Sequence, residues 1–302
     1  MLRSHYTNTG NTIINAEEIA DIGRYQLQRV LGEGASGIVY RAYDPVLDRT
    51  VAIKSAKPDE MTPEEIRRVV DEFHHEARVA GKFAHENVVA IYDIVSAHDL
   101  DHIVMEYVPG RSIMDYLKSI GPMNVTDVLS IINRCAVGLA YIHYQGVIHR
   151  DIKPGNILYH HADRVVKLMD FSIAHSIESP TPADNGSIAY MAPEHFDPNR
   201  RITPLTDIFA LGATMYRMLV KQYPFSRNDT VSQILHQEPR PVTELRSEIP
   251  FEVGELVRKA MAKQDADRFQ SAADFAHQIV RVMQACYPGS RITAQSDIYL
   301  AA

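Results

Sequence analysis

Apolar and polar positions alternate through Tyr25, Leu27 and Val30-Leu31, and again through Ile38-Val39-Tyr40-Arg41-Ala42-Tyr43. A period of two marks a half-buried strand. The stretch therefore predicts two strands joined by the glycine turn Gly32-Glu33-Gly34-Ala35-Ser36-Gly37. Asp44-Pro45 and Leu47-Asp48-Arg49 predict the next turn, and Thr50 to Ser55 a third strand. Between Thr62 and Lys82 the period changes: Ile66, Val69, Val70, Phe73, Ala77 and Ala80 recur in steps of three and four. That spacing predicts an amphipathic helix, with Thr62 as N-cap and Pro63 at its first position. Val88 to Val95 and His102 to Tyr107 read as two further strands.

Beyond Tyr107-Val108-Pro109-Gly110 helical spacing dominates. Val128, Ile131, Ile132, Cys135, Leu139 and Ile142 predict one long helix with a single buried stripe, followed by a short hairpin from Ile157-Leu158-Tyr159 to Val165-Val166-Lys167-Leu168. Further helices are predicted at Thr206 to Val220, Phe251 to Met261 and Ala272 to Met283. Residues 1–23 are polar with a weak helical patch around Ala16 to Ile22, and the residues from Tyr287 carry no pattern. The expected fold is α+β and bilobal. A small antiparallel-sheet lobe with one main helix occupies 24–106, a hinge 107–110, and a larger, mostly helical lobe 111–285, with tails at 1–23 and 286–302.

A chain of 302 residues has ample length for such a pair of lobes. With 45% hydrophobic and 23% charged residues its composition is that of an ordinary globular protein. The net charge of −7 argues against nucleic acid as a main partner and for basic substrate surfaces. No apolar run approaches the roughly 18 residues that span a bilayer, and the start Met1-Leu2-Arg3-Ser4-His5-Tyr6-Thr7 lacks the apolar core of a secretion signal. The expectation is a cytoplasmic chain with no membrane segment. Cys135 and Cys286 match no metal-site spacing, and Cys135 falls on the apolar helix stripe, where a buried reduced thiol is expected. His74-His75 and His160-His161 read as surface pairs, because adjacent residues point in different directions.

The chemistry concentrates in Val147-Ile148-His149-Arg150-Asp151-Ile152-Lys153-Pro154-Gly155-Asn156-Ile157-Leu158. Two apolar runs bracket an acid, a lysine and an amide, and the chain must loop to bring Asp151 and Asn156 to one spot. A carboxylate to accept a hydroxyl proton, a cation against phosphate charge and an amide oxygen for Mg²⁺ are what phosphoryl transfer to an alcohol requires. A charged surface turn is the default reading of such a cluster, and it loses only because matching parts occur elsewhere. Gly32, Gly34 and Gly37 lie between two strands, which favours a hairpin lid over phosphates above the strand-to-helix turn of a dinucleotide fold. No P-loop pattern is present. Lys54 stands among apolar strand residues in Val51-Ala52-Ile53-Lys54, so a carboxylate and phosphates are expected near it. Glu76 is the first candidate for that carboxylate and Glu72, one turn earlier, the alternative. Asp170, after the apolar strand end Leu168-Met169, would complete an all-oxygen Mg²⁺ site with Asn156.

Taken in order, these pieces resemble the eukaryotic-like Ser/Thr protein kinases of bacterial type, over roughly Arg24 to Ala285. Ala192-Pro193-Glu194, Asp207 in Thr206-Asp207-Ile208-Phe209-Ala210-Leu211-Gly212, and Arg268 in Asp267-Arg268-Phe269 complete the set. The resemblance implies the bilobal protein-kinase fold and transfer of the γ-phosphate of ATP, with Mg²⁺ or alternatively Mn²⁺, to Ser/Thr hydroxyls of protein substrates. Asp151 would position the acceptor hydroxyl and take its proton, Lys153 would offset γ-phosphate charge, and Asn156 and Asp170 would bind the metal. Lys54, held by Glu76, would contact the α- and β-phosphates under the loop of Gly32, Gly34 and Gly37. Leu31, Val39, Ala52 and Leu158 would sandwich adenine, with Met105 as gatekeeper and Glu106 and Val108 hydrogen bonding at the hinge. Glu194 and Arg268 would form a buried ion pair, and Asp207 would brace the catalytic loop. Lys153, two residues after Asp151, follows the Ser/Thr rather than the tyrosine pattern, and Ser187 matches the hydroxyl that bridges Asp151 and Lys153 in such enzymes.

One position departs from the family. Ser172 stands where the Asp-Phe-Gly motif has glycine, which narrows the backbone options of that loop. Arg150 beside Asp151 implies control by activation-loop phosphorylation, with Thr181 and Ser179 ahead of Ser176 and Ser187 as acceptors, and a dimer is compatible with autophosphorylation in trans. Two other readings compete. A pseudokinase scaffold would be favoured by loss of Lys54, Asp151 or Asp170, and all three are present. A small-molecule kinase is disfavoured by the segment at Ala192-Pro193-Glu194 and the helices after it.

Overall fold

The computed structural model describes residues 21–34, 37–55, 81–97, 100–170, 188–226 and 229–289. The chain divides into two compact units, one from the residues through Ala77 together with Ile91–Tyr107, the other from Arg78–Ala90 and from Val108 onward.

The first unit is an antiparallel sheet of β1 (Gln26–Gly34), β2 (Gly37–Asp44), β3 (Arg49–Ser55), β4 (Ile91–Ala97) and β5 (Leu100–Glu106), in the order β1-β2-β3-β5-β4. β3 is central, which is why its last five residues, Val51 to Ser55, are all buried. Directly opposed residues of an antiparallel pair share a face, so the register sorts the side chains. Ala42, Val51, Ile53 and Val104 form one face and pack with Ile22 and Tyr25. On the opposite face Val39 and Ile103 flank Lys54, and Arg41 and Met105 flank Ala52. Ile22, within the stretch read as tail, is buried and bridges to Tyr25.

The strand expected at Val88 to Val95 starts later, at Ile91. Val88 makes an isolated parallel bridge to Leu168 and the Val89 N–H donates to the Leu168 carbonyl at 2.9 Å, so this apolar pair is buried in the second unit instead. The fifth strand runs Leu100–Glu106, two residues earlier than its apolar run suggests at its start. The helix expected between Thr62 and Lys82, with Glu72 and Glu76, lies outside the described residues up to residue 80.

The second unit is mostly helical: α1 (Ile113–Ile120), α2 (Val125–Tyr144), α3 (Pro204–Val220), α4 (Thr230–His236), α5 (Val242–Leu245), α6 (Phe251–Ala260) and α7 (Ala272–Cys286). A three-stranded sheet, β6 (Arg111–Ser112), β7 (Ile157–His160) and β8 (Val165–Leu168), accompanies them. Short polar side chains open the main helices, as orphan N–H groups demand: Ser112 for α1, Asn124 for α2, Ser271 for α7, and a Thr203–Thr206 capping box with Pro204 in the first turn for α3. α2 is long and apolar enough to cross a membrane, yet 67% of its most apolar window is buried inside the unit, where it packs on α3 and α7 as a core helix. Cys135, on its buried stripe, is a free thiol whose ionisation burial pushes far above the usual range.

Candidate active site

α2 ends at Tyr144, Gly146 turns the chain at φ +76°, and the Val147 N–H returns to the Ile142 carbonyl at 3.1 Å. The loop that follows is pinned from below by α3. The fully buried Asp207 accepts from the backbone N–H of His149 through Oδ2 and from that of Arg150 through Oδ1, both at 2.8 Å. His143, near the end of α2, donates Nε2–H to the same Oδ2 at 2.8 Å. Burial alone would raise the Asp207 pKa, but the hydrogen bond and charge of His143 and the loop amides hold it below the usual carboxylate range. The clasp also offsets strain, because Arg150 sits in the left-handed region at φ +68°, which costs an L-residue on the order of 1–2 kcal/mol. His149 is fully buried, its Nδ1 accepts from the Asp151 N–H at 3.4 Å, and burial holds its pKa below the ordinary imidazole value.

Asp151 is held by one oxygen. Its Oδ2 accepts from Asn156 Nδ2 at 2.7 Å and pairs with Lys153 Nζ at 2.8 Å, while Asn156 Nδ2 also donates to the Asp151 carbonyl at 2.9 Å. No described residue bonds Oδ1, and the Asp151 side chain is 23% exposed. Two acceptors fix the Asn156 amide with its nitrogen toward Asp151, which turns its oxygen outward. The β7–β8 pairing then brings up the second oxygen donor. Ile157 opposes Leu168, the Met169 N–H donates to the Asn156 carbonyl at 3.0 Å, and Asp170 follows directly, also left-handed at φ +56°. β8 is braced by Asn87, whose carbonyl accepts from the Leu168 N–H at 2.9 Å and whose Nδ2 donates to the Val166 carbonyl at 3.0 Å.

In the first unit, Val39, Ala52, Lys54 and Met105 share the sheet face defined above; Ala52, Lys54 and Met105 are buried. Leu31 lies at a register shift between Val30 and Gly32 and is 37% exposed. Gly34 opposes Gly37, closing the β1–β2 hairpin, and Gly37 has φ +131°. A Cβ at Gly32 or Gly34 would meet nothing within 4 Å, so packing among the described residues does not require glycine at either. Glu106 ends β5 opposite Val51, Val108 is buried, and Leu158 lies on β7 opposite Ser112. Glu76, Ser172, Ser176, Ser179, Thr181 and Ser187 lie outside the described residues.

The ion pair expected of Glu194 and Arg268 is bidentate, at 2.7 and 2.9 Å, with both side chains fully buried. Sequence reasoning missed its other members: Thr206 Oγ1 donates to Glu194 Oε1 at 2.7 Å, and Arg200 reaches Oε2 at 3.4 Å and Asp265 at 2.6 Å. Burial would raise the Glu194 pKa, yet Arg268 and Thr206 hold it below the usual range. His143 was missed as well.

A helix-braced loop that fixes an Asp, a Lys and an Asn in one unit, and a sheet with a buried lysine on its central strand in the other, are the features of a protein kinase domain. The protein kinase domain family model matches residues 25–296, and the chain belongs to that family. Its relatives include the Ser/Thr protein kinase PrkC of Bacillus subtilis, 36% identical over 260 residues, which are 83% of this chain and 39% of that protein. The Ser/Thr protein kinase PknB of Mycobacterium leprae is 33% identical over 272 residues, 86% of this chain and 43% of that protein. The chain thus spans about two fifths of the length of these relatives. Among solved structures, Rad53 1–466 in complex with AMP-PNP aligns with a TM-score of 0.67 at 24% identity, over 84% of this chain and 64% of that one, a likeness of fold. The α+β fold class expected from the sequence is the one found.

Proposed function

We propose that this chain, as a kinase domain over residues 24–285, transfers the γ-phosphate of ATP to Ser and Thr hydroxyls of protein substrates. The observation that carries the reading is the Asp151 carboxylate, fixed through Oδ2 by Asn156 and Lys153 with Oδ1 left to face a hydroxyl. A base whose orientation is set before the acceptor arrives lowers the barrier by positioning as well as by proton transfer. Lys153 lies within reach of the same carboxylate and offsets charge that builds on the transferring phosphoryl group.

The donor set suits Mg²⁺. The outward amide oxygen of Asn156 and the carboxylate of Asp170 are hard oxygens that would hold such an ion. The bound ion supplies charge neutralisation at the phosphates; everything else falls to the chain. Lys54, with Val39, Ala52 and Met105 on one sheet face, would take the α- and β-phosphates and the adenine. The open space at Gly32 and Gly34 fits a backbone that closes on a ligand. Glu76 stands as the partner of Lys54, and Leu31, Glu106, Val108 and Leu158 as further nucleotide contacts. The ATP-analogue complex of Rad53 supports the nucleotide at the level of the fold.

Regulation belongs to the same reading: Arg150, next to Asp151, would pair with a phosphate on the segment between Asp170 and Glu194. Mass spectrometry of ATP-incubated protein is expected to find phosphate on Thr181 or Ser179; an unmodified segment would refute this part. The function itself is tested by phosphoamino-acid analysis of a basic protein labelled with [γ-³²P]ATP. Phosphoserine and phosphothreonine are expected, and phosphotyrosine alone, or no label, would contradict the proposal.

A further inference from the structure

Gly110 lies against the backbone of β7. A Cβ there would stand 2.6 Å from the Tyr159 carbonyl oxygen, 2.9 Å from its carbon and 3.2 Å from the His160 nitrogen. Its φ is not among the positive ones, so the backbone conformation does not call for glycine; the space does. Nor is β7 free to yield. It is hydrogen bonded to β8 from Ile157 to His160 and to β6 through Tyr159 and Leu158, and the Tyr159 side chain is buried against Tyr116. Relief of the overlap therefore falls on the segment that carries residue 110.

That segment has one consequence for function. Two residues upstream is Val108, which is buried; two residues downstream is Ser112, opposite Leu158. Gly110 thus sets how closely the main chain after Val108 approaches the strand that carries Leu158. We infer that Gly110 is a positioning residue for the nucleotide, its bare Cα holding the Val108 backbone at the spacing from Leu158 that adenine requires. The inference rests on the proposed roles of Val108 and Leu158. It assigns the glycine to ligand geometry rather than to stability, because residues 109 and 110 are themselves exposed.

The test compares Gly110→Ala and Gly110→Val with Gly289→Ala, a site where a Cβ meets nothing within 4 Å. ATP affinity is measured by calorimetry with Mg²⁺, and kcat and both KM values are measured with a protein substrate. A displacement approaching 1 Å at a contact can cost up to about 10²-fold. Gly110→Ala is expected to weaken ATP about 10-fold in Kd and KM, and Gly110→Val further. The kcat at saturating ATP, the protein-substrate KM and the thermal midpoint are expected to stay close to wild type, and Gly289→Ala to change nothing. Unchanged ATP affinity in both variants overturns the inference, and so does a variant that fails to fold or loses kcat in parallel with stability. If wild type binds no ATP the nucleotide reading falls and this inference with it, an outcome distinct from normal wild-type binding with insensitive Gly110 variants.

Discussion

Asp151 commits one carboxylate oxygen to Asn156 and Lys153, no described residue bonds the other, and the residues around it accept strain to hold it so. Arg150 and Asp170 both occupy the left-handed region, as few of the described non-glycine residues do. Strain of this kind persists only where the surroundings over-determine it, and at Arg150 the Asp207 clasp supplies that constraint. Glycine carries the opposite meaning at the β1–β2 hairpin. Since no atom of the described residues lies within 4 Å of a Cβ at Gly34, Gly34→Ala is expected to leave the thermal midpoint unchanged or slightly raised, as unfolded-state entropy falls, while ATP affinity drops. A clear loss of stability with normal ATP binding would contradict the phosphate-lid role. Asp151, Lys153, Asn156 and Asp170 were legible in the sequence because their chemistry is local to one loop and one strand end. His143 was not. It lies eight residues before Asp151, near the end of a helix read only for its buried apolar stripe, and the packing of α2 on α3 brings it to Asp207.

Among the elements, α3 does two jobs. Near its start Asp207 holds the loop that carries Asp151, and Thr206 beside it bonds Glu194, so one helical turn ties the loop to the Glu194–Arg268 pair. Removing one partner from a buried ion pair is worth about 3–5 kcal/mol, because the other charge is left uncompensated. Arg268→Met is therefore expected to lower unfolding free energy by that amount in a urea titration, and a loss under 1 kcal/mol would mean that Glu194 is neutral or solvated. Asp207→Ala leaves two loop amides and His143 without their acceptor, which costs about 1–3 kcal/mol for each buried group. Its expected signature is a large fall in kcat with ATP affinity kept; loss of ATP binding with normal kcat would move the brace elsewhere. The sequence periods located β1 to β3, α2, α3, α6 and α7 well. They failed at α1, α4 and α5, which span about two turns or fewer, and at Val88-Val89, whose apolar character serves a bridge to Leu168 rather than a sheet strand.

At the scale of the whole molecule, the buried ionisable groups set a pH limit. Asp207 and Glu194 are held below their ordinary values, so their contribution to stability is fully present above about pH 4.5 and is lost as pH falls through their folded values. His85, His149 and His195 are held below the ordinary 6.5 by burial, so the unfolded chain takes those protons first and stability falls as pH drops below 6.5. The unfolding midpoint is expected to be highest above pH 7, to decline below 6.5 and to decline more steeply below 4.5; a flat profile from 7 to 4 would contradict this arrangement. The central claim is tested most directly by comparing wild type with Asp151→Asn in a single-turnover transfer of [γ-³²P]phosphate to a basic protein, both saturated with Mg-ATP. Equal ATP binding with a rate about 10²–10⁴-fold lower in the variant is expected of a positioned general base, whereas equal rates would contradict the role assigned to Asp151 and the account built on it.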